Sequence, residues 1–501
     1  MGAAKPQVWA LADLFSDVAL SDADAGKAVL GLALDSRQCQ KGYVFFALAG
    51  DSTHGLRFLS AALAHGLVAV VVDDADIEVN EHIRDRIEAS GAALIALPAA
   101  AKQVGVVAAR FYGNDAGDFS VIGVTGTDGK TSVTSFIAQS LGECGVTAGL
   151  IGTVKWGVPG HYHMSDMTTP DPIQLQHYLF EIRSHGAGIV CMEVSSHALD
   201  QGRVAGVPFK VAVLTNLARD HLDYHGTVEA YAEAKAQLFS WPGLDAVVIN
   251  ADDDFGQKLL QKPTDGVNAV SYSVRSPSDC HAEAVSENAQ GLAMQMSTPM
   301  GRIDVQSQLI GDFNAYNVLA TVAVLQVLGL SKEDIFAAIR ATKPVEGRME
   351  KFTSRIGPTV VVDYAHTPQA LEAALHTLAH SCAGRLWCVF GCGGERDRGK
   401  RAQMAIAAER YAVRVIVTDD NPRREPAEQI VADIVEGFSS RDFPTVIHDR
   451  REAIRAAITG AASEDWVLVA GKGHEVSQDT QGQRTPFSDR QVVTQVMEAC
   501  A

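Results

Sequence analysis

The chain has 501 residues, 47% hydrophobic and 20% charged, which is material for about three domains with buried cores. A formal net charge of −18 excludes generic nucleic-acid binding, which draws on clustered Lys and Arg, but leaves room for a local anion site. The longest apolar runs, such as Leu67–Val72, are of strand length and exclude a membrane span; eight cysteines without C-x-x-C spacing exclude zinc ribbons and thioredoxin-like sites and fit a reducing compartment.

The N-terminus has neither the apolar core nor the cleavage site of a signal peptide, and Pro6 breaks a myristoylation pattern, so a soluble cytoplasmic protein is expected. Strand-length apolar runs then alternate with helix-period segments, which predicts α/β architecture. "VFFALAG", "VAVVVDD" and "AALIALP" read as strands and "FLSAALAHG" as a helix. From Phe119, "VIGVTGTDGKTSVTSFIAQSLGECG" reads as strand, glycine-rich turn and helix, followed by strands at "AGIVCMEVSS", "KVAVLTNLA" and "DAVVINAD". Between Leu292 and Ile310 short alternating segments predict antiparallel strands, closed by the helices "NAYNVLATVAVLQVLG" and "KEDIFAAIRAT". Five further strands, beginning at "TVVVDYAHTP" and ending at "DWVLVAGKGHE", alternate with helices and predict a doubly wound C-terminal domain. The expected domains are residues 1–114, 115–344 and 345–501.

"GVTGTDGKTS" has the composition of a phosphate loop. Gly126, Thr127, Asp128, Gly129, Lys130, Thr131 and Ser132 join a strand to a helix N-terminus, where backbone N–H groups and the helix dipole favour phosphate oxygens. Lys130 would reach the β and γ phosphates and the Thr131 hydroxyl a Mg²⁺ ion. The strict P-loop spacing is not met, since position 124 is Val and the glycine falls one residue earlier. Glu193, ending a strand of buried type, suits the oxygen preference of Mg²⁺. His221 lies in a loop and Lys235 on the next helix; by spacing alone the first is a structural histidine and the second a solvated lysine.

The stretch G-x-T-G-T-x-G-K-T resembles the ATP loop of the Mur ligase family, which includes folylpolyglutamate synthase and usually carries Asn where this chain has Asp128. The resemblance extends in domain order over essentially all of the chain. It implies ATP and Mg²⁺ as cofactors, with Thr131, Glu193, His221 and a CO₂-derived carbamate on Lys235 as metal ligands. A carbamate would turn an ammonium that repels Mg²⁺ into an oxygen ligand, and its formation requires a neutral amine. "GDFNAYN", "GRMEKF" and "VVDYAHTP" supply Asn314, Arg348, Asp363 and His366. The resemblance gives Asn314 and Asp363 to the nucleoside, the His366 region to the nucleotide and Arg348 to the γ-phosphate. Lys130, Lys235, His221 and Arg348 are the implied catalytic set.

The N-terminal "LDSRQCQKGYVFFALAGDSTHG" matches the uridine-nucleotide domain of tripeptide-forming members, with Ser36, Asp51, Ser52 and Thr53 at contact positions. Thr168, Thr169, Ser195, Gln201 and Arg203 match positions that hold a muramoyl dipeptide; Met167 stands where relatives commonly have Asn. Arg396, Asp420, Asn421, Arg423, Gly471 and Glu475 match a diaminopimelate site, with Asp420-Asn421-Pro422-Arg423 as its motif. An arginine fork binds a carboxylate through two parallel hydrogen bonds, and Asp420 and Glu475 suit an ammonium. The resemblance thus implies a ligase adding meso-diaminopimelate to UDP-N-acetylmuramoyl-L-alanyl-D-glutamate through an acyl phosphate, as a monomer. The runners-up are the same ligase using L-lysine and an ATP-dependent switch that ligates nothing. A nicotinamide site is disfavoured, because Arg396 occupies the third glycine position of the dinucleotide fingerprint.

Overall fold

The computed structural model describes residues 7–50, 53–77, 81–115, 119–165, 167–262, 265–288, 291–354 and 356–499. It divides into two compact units. One comprises Met1–Lys130, Cys144–Ile249 and Phe255–Val270; the other comprises Thr131–Glu143, Asn250–Asp254 and Ser271–Ala501.

The first unit opens with a parallel sheet of Gly31–Ala33, Tyr43–Phe46, Ala69–Asp73 and Ala93–Leu97, in chain order. Successive side chains on a strand face opposite ways. Val44, Phe46, Val71 and Ile95 therefore pack with Leu11 and Phe111, while Phe45, Val70 and Val72 pack with Leu59 and Ile87. Strand Gly31–Ala33 escapes a sequence reading because three residues carry no period. Its Gly31 lies under the Tyr43 ring, where a Cβ would collide. The helix Ala100–Tyr112 also went unpredicted; it starts after a left-handed Ala99 with no side-chain cap.

The second sheet of this unit runs His161–Met164, Lys155–Val158, Ala148–Ile151, Ile189–Glu193, Ser120–Thr125, Phe209–Leu214 and Ala246–Asn250. The last five are parallel and the first two form an antiparallel hairpin. Ser120–Thr125 thus lies between Ile189–Glu193 and Phe209–Leu214, and the carboxyl ends of these three strands are neighbours. In open α/β sheets that end is where ligands bind.

In the other unit, Cys280–Asn288, Gly291–Ser297 and Ile303–Ser307 form an antiparallel run. Helices Asp312–Val327 and Lys332–Ala341 belong to the same unit. The C-terminal sheet has the order Glu350–Phe352, Thr359–Asp363, Trp466–Ala470, Leu386–Phe390, Arg414–Val417 and Thr445–Val446, parallel except for its first strand. Val361, Cys388, Val417 and Leu468 face one layer of helices; Val360, Val389, Ile416 and Val467 face the other. This is the doubly wound arrangement expected, with the edge strand Glu350–Phe352 and the hairpin Ser477–Thr480/Gln483–Pro486 added.

Candidate active site

In the first unit the glycine-rich turn leaves Thr125 at the carboxyl end of the central strand. Gly126 has φ 152°, and a Cβ there would run into the Thr215 hydroxyl, so only glycine fits. The turn is held from the next strand's end: Thr215 Oγ1 donates to Asp128 O (2.6 Å), and Asp128 N donates to Asn216 Oδ1 (3.0 Å). Thr127 N donates to Asn216 O (2.9 Å), and Thr127 Oγ1 lies 3.2 Å from the Tyr231 hydroxyl. The Asp128 side chain itself is exposed, so its backbone builds the turn while its carboxylate faces solvent.

Lys130 opens the helix Lys130–Glu143 and folds back, its Nζ donating to Gly126 O and Thr127 O at 2.9 Å each. Lys235, on the helix Val228–Ala236 capped by Thr227, is 1% exposed and donates to the same Gly126 O at 2.8 Å. Two lysine Nζ atoms converge on one carbonyl. Burial first, and the Lys130 charge second, hold the Lys235 amine well below the usual lysine range. The solvated-helix reading of Lys235 is excluded by its burial.

Glu193 ends its strand 1% exposed. Its Oε1 accepts from Thr153 N (2.8 Å) and its Oε2 from Thr153 Oγ1 (3.0 Å), while Thr153 Oγ1 lies 3.0 Å from Thr168 Oγ1. Thr169 Oγ1 donates to Glu193 O (3.0 Å) and accepts from Ser195 N (3.1 Å). Arg203 Nη1 donates to Thr169 O (3.3 Å) and Arg203 Nε to Gln201 Oε1 (2.8 Å). Five residues singled out from sequence, Thr168, Thr169, Ser195, Gln201 and Arg203, are therefore linked around Glu193. His221 takes a left-handed conformation (φ 54°) with Asp220 Oδ2 3.4 Å from its Nε2. Its ring stands 4.8 Å from that of His197. Burial chiefly, with Lys130 and Lys235 adding, lowers its pKa, so the neutral imidazole is favoured. No group of three or more His, Cys, Asp or Glu among the described residues is arranged to hold a metal by itself. Ser36 begins a single turn after strand Gly31–Ala33, and Thr53 O accepts from Gly50 N (3.0 Å). Asp51 and Ser52 lie outside the described residues.

In the second unit Arg348 Nη2 donates to Thr131 Oγ1 (3.3 Å), and the guanidinium lies 4.5 Å over the Tyr364 ring. Ser132 follows in the first turn of the helix. Asp363 accepts from Met349 N (2.7 Å) and Ala365 N (2.8 Å). Asn314 Nδ2 donates to Ile310 O (2.7 Å), just before helix Asp312–Val327, and its Oδ1 accepts from Asn317 Nδ2 (2.9 Å). His366 lies beside Tyr364, with ring centroids 4.7 Å apart.

The remaining predicted residues gather at carboxyl ends of the C-terminal sheet. Asp420 is 6% exposed, and Gly471 (φ 116°) passes so close that a Cβ would strike its carboxylate. Gly393 likewise leaves room for Arg423 and Arg396: a Cβ there would lie 2.9 Å from Arg423 Nη1 and 3.8 Å from Arg396 Cγ. Arg423, left-handed at φ 53°, donates from Nη1 to Gly394 O (2.7 Å). Asn421 Nδ2 donates to Glu475 Oε2 (2.8 Å). Arginines and carboxylates thus occupy one cluster.

The sequence profile of the Mur ligase family catalytic domain matches residues 29–112, that of the Mur ligase middle domain residues 124–325, and that of the Mur ligase glutamate ligase domain residues 347–473. A UDP-N-acetylmuramoyl-L-alanyl-D-glutamate–2,6-diaminopimelate ligase of Alkalilimnicola ehrlichii is 47% identical over 481 residues, 95% of this chain and 96% of that protein. The chain belongs to the Mur ligase family. A ligase of the same name from Pseudomonas aeruginosa is 45% identical over 91% of this chain and 93% of its own. A solved structure of such a ligase superposes with a TM-score of 0.71 at 34% identity, covering 99% of both chains. MurF of Thermotoga maritima, solved in complex with ADP, shares the fold at 16% identity, with a TM-score of 0.63 over 96% of this chain and 100% of its own.

Three groups in this Mur ligase chain went unnoticed in its sequence. Thr153 bonds both oxygens of Glu193, Tyr231 flanks Lys235 with its ring centroid 4.5 Å from Nζ, and Lys472 is buried among the predicted amine-site residues. Thr153 and Tyr231 carry no motif; Lys472 lies inside "AGKGHE", which the resemblance matches to the amine site only at Gly471 and Glu475.

Proposed function

We propose that this chain is the ATP-dependent ligase that joins meso-diaminopimelate to the D-glutamate γ-carboxylate of UDP-N-acetylmuramoyl-L-alanyl-D-glutamate. The observation that carries the amine assignment is the cluster of Arg396 and Arg423 with Asp420 and Glu475, a cation and anion pair matched to the zwitterionic far end of diaminopimelate. The relatives from Alkalilimnicola ehrlichii and Pseudomonas aeruginosa, both above 40% identity, are named as ligases of UDP-N-acetylmuramoyl-L-alanyl-D-glutamate and 2,6-diaminopimelate.

A carboxylate is a poor electrophile at neutral pH, so the γ-phosphoryl group of ATP passes to the glutamate oxygen, releasing ADP. The amine then attacks the acyl carbon, and phosphate leaves as the amide forms. Gly126 to Ser132 cradle the phosphates, and Lys130 and Arg348 stabilise charge on the migrating group. The hard oxygen donors Thr131 and Glu193, with His221 and a carbamate on Lys235, suit Mg²⁺, which would neutralise phosphate charge when bound. The burial of Lys235 and its depressed amine pKa favour the neutral form that reacts with CO₂. Asn314 and Asp363 serve the nucleoside, with His366 beside the nucleotide. Ser36, Asp51, Ser52 and Thr53 serve the UDP group, and Thr168, Thr169, Ser195, Gln201 and Arg203 the dipeptide. Asn421 and Gly471 complete the amine subsite.

The reading assigns nucleotide sugar, ATP and amino acid to residues 1–114, 115–344 and 345–501, in a cytoplasmic monomer. No described helix is long and apolar enough to cross a membrane. Arg423→Glu tests the amine assignment. Its kcat/KM for diaminopimelate is expected to fall at least about a hundredfold, the cost of unpairing a buried carboxylate partner. Full activity in that variant would reject the assignment of Arg423.

A further inference from the structure

The proposed amine subsite holds a charge that no substrate contact explains. Lys472 is fully buried, and its ammonium meets three groups: Glu475 Oε2 at 2.7 Å, Asn421 Oδ1 at 2.9 Å and Asp420 Oδ1 at 3.8 Å. Asn421 closes a ring, since its Nδ2 donates to the same Glu475 oxygen (2.8 Å) while its Oδ1 also accepts from Asp479 N (3.0 Å). With donors on its oxygen side and a carboxylate on its nitrogen side, the Asn421 amide has one orientation. The Lys472 side chain is inaccessible, whereas Glu475 keeps 30% side-chain exposure. Lys472 therefore acts from behind the ligand groups.

We propose that Lys472 is a specificity-determining positioning residue, the fixed counter-charge that leaves the ammonium end of the subsite with one net negative charge. This rests on the reading of the cluster as the diaminopimelate subsite. Two carboxylates without Lys472 would form a doubly negative pocket, which favours a bare ammonium over a group carrying its own carboxylate. With Lys472 present, one negative charge faces one ammonium, and Arg396 and Arg423 meet the accompanying carboxylate. Lys472 thus selects a zwitterionic amine over a simple diamine acid by charge balance and holds Asn421 and Glu475 in register.

The experiment measures kcat/KM for meso-diaminopimelate and L-lysine in wild type, Lys472→Met, Glu475→Gln and the double variant, with the KM for ATP as a control. Lys472→Met is expected to lower the diaminopimelate-to-lysine ratio at least about tenfold with the ATP KM unchanged. The double variant restores the net charge and is expected to recover part of that ratio. If Lys472→Met does not fold, Glu475→Gln and the double variant decide: the double variant is expected to use diaminopimelate better, because Glu475→Gln alone leaves the pocket neutral. An unchanged ratio in folded Lys472→Met, or a double variant no better than the relevant single, would overturn the proposal. A wild-type enzyme without diaminopimelate-dependent turnover would instead reject the reading of the subsite itself.

Discussion

Lys235 concentrates the chemistry of the site at one atom. An ammonium buried beside Lys130 is costly, and the protein lowers that cost by favouring the neutral amine. Stripping bicarbonate from the assay is accordingly expected to lower kcat, and adding it back to restore activity; turnover indifferent to bicarbonate would argue against a carbamate. Thr153 matters for a different reason. It fixes both oxygens of Glu193, and losing such a support weakens metal binding by about 10–100-fold, so Thr153→Val is expected to raise the half-saturating Mg²⁺ concentration by that factor. Glu193, Lys130 and the Asp420–Arg423 motif were legible in the sequence because residue type and local position carry the chemistry. Thr153 was not, because its value lies in reaching a strand end forty residues later.

Secondary structure elements deliver these side chains through strand ends. The turn after Ser120–Thr125 works only with glycine at 126, and Gly126→Ala is expected to abolish ATP turnover and destabilise the fold by about 1–3 kcal/mol. Calorimetric ATP titration with thermal unfolding separates the two effects. Against the C-terminal sheet, the fully buried Arg450 and Asp489, first residues of helices Arg450–Gly460 and Asp489–Ala499, pair at 2.7 and 2.8 Å, and Arg450 also holds Ala470 O just before Gly471 (2.8 Å). Arg450→Met leaves a buried carboxylate unpaired and is expected to cost about 3–5 kcal/mol in urea unfolding; adding Asp489→Leu should recover much of it. The long parallel strands were readable as apolar runs of five or so residues. The hairpins Lys155–Val158/His161–Met164 and Ser477–Thr480/Gln483–Pro486 were not, since their exposed faces carry polar and aromatic residues without a clean period.

For the molecule as a whole, two histidines held neutral, the half-buried His197 and the buried His474, set the response to acid. Burial pushes His197 down to about 4 and His474 down to about 3. Unfolded histidine protonates near ~6.5, so below that pH the unfolded chain binds more protons and stability falls as pH drops toward the folded values. The melting temperature is expected to decline between about pH 7 and about pH 5, before most carboxylates titrate, and His474→Gln should flatten that decline. A melting temperature constant over this range would contradict the assignment of these histidines as neutral.

The central claim is that phosphoryl transfer and amine selection belong to one reaction. Its most direct test is ADP release by the purified protein with ATP, Mg²⁺ and UDP-N-acetylmuramoyl-L-alanyl-D-glutamate, comparing meso-diaminopimelate with L-lysine. Release stimulated by diaminopimelate alone, with a product heavier by one diaminopimelate residue, is the predicted result. Stimulation by lysine instead, or ADP release that ignores both amines, would contradict it.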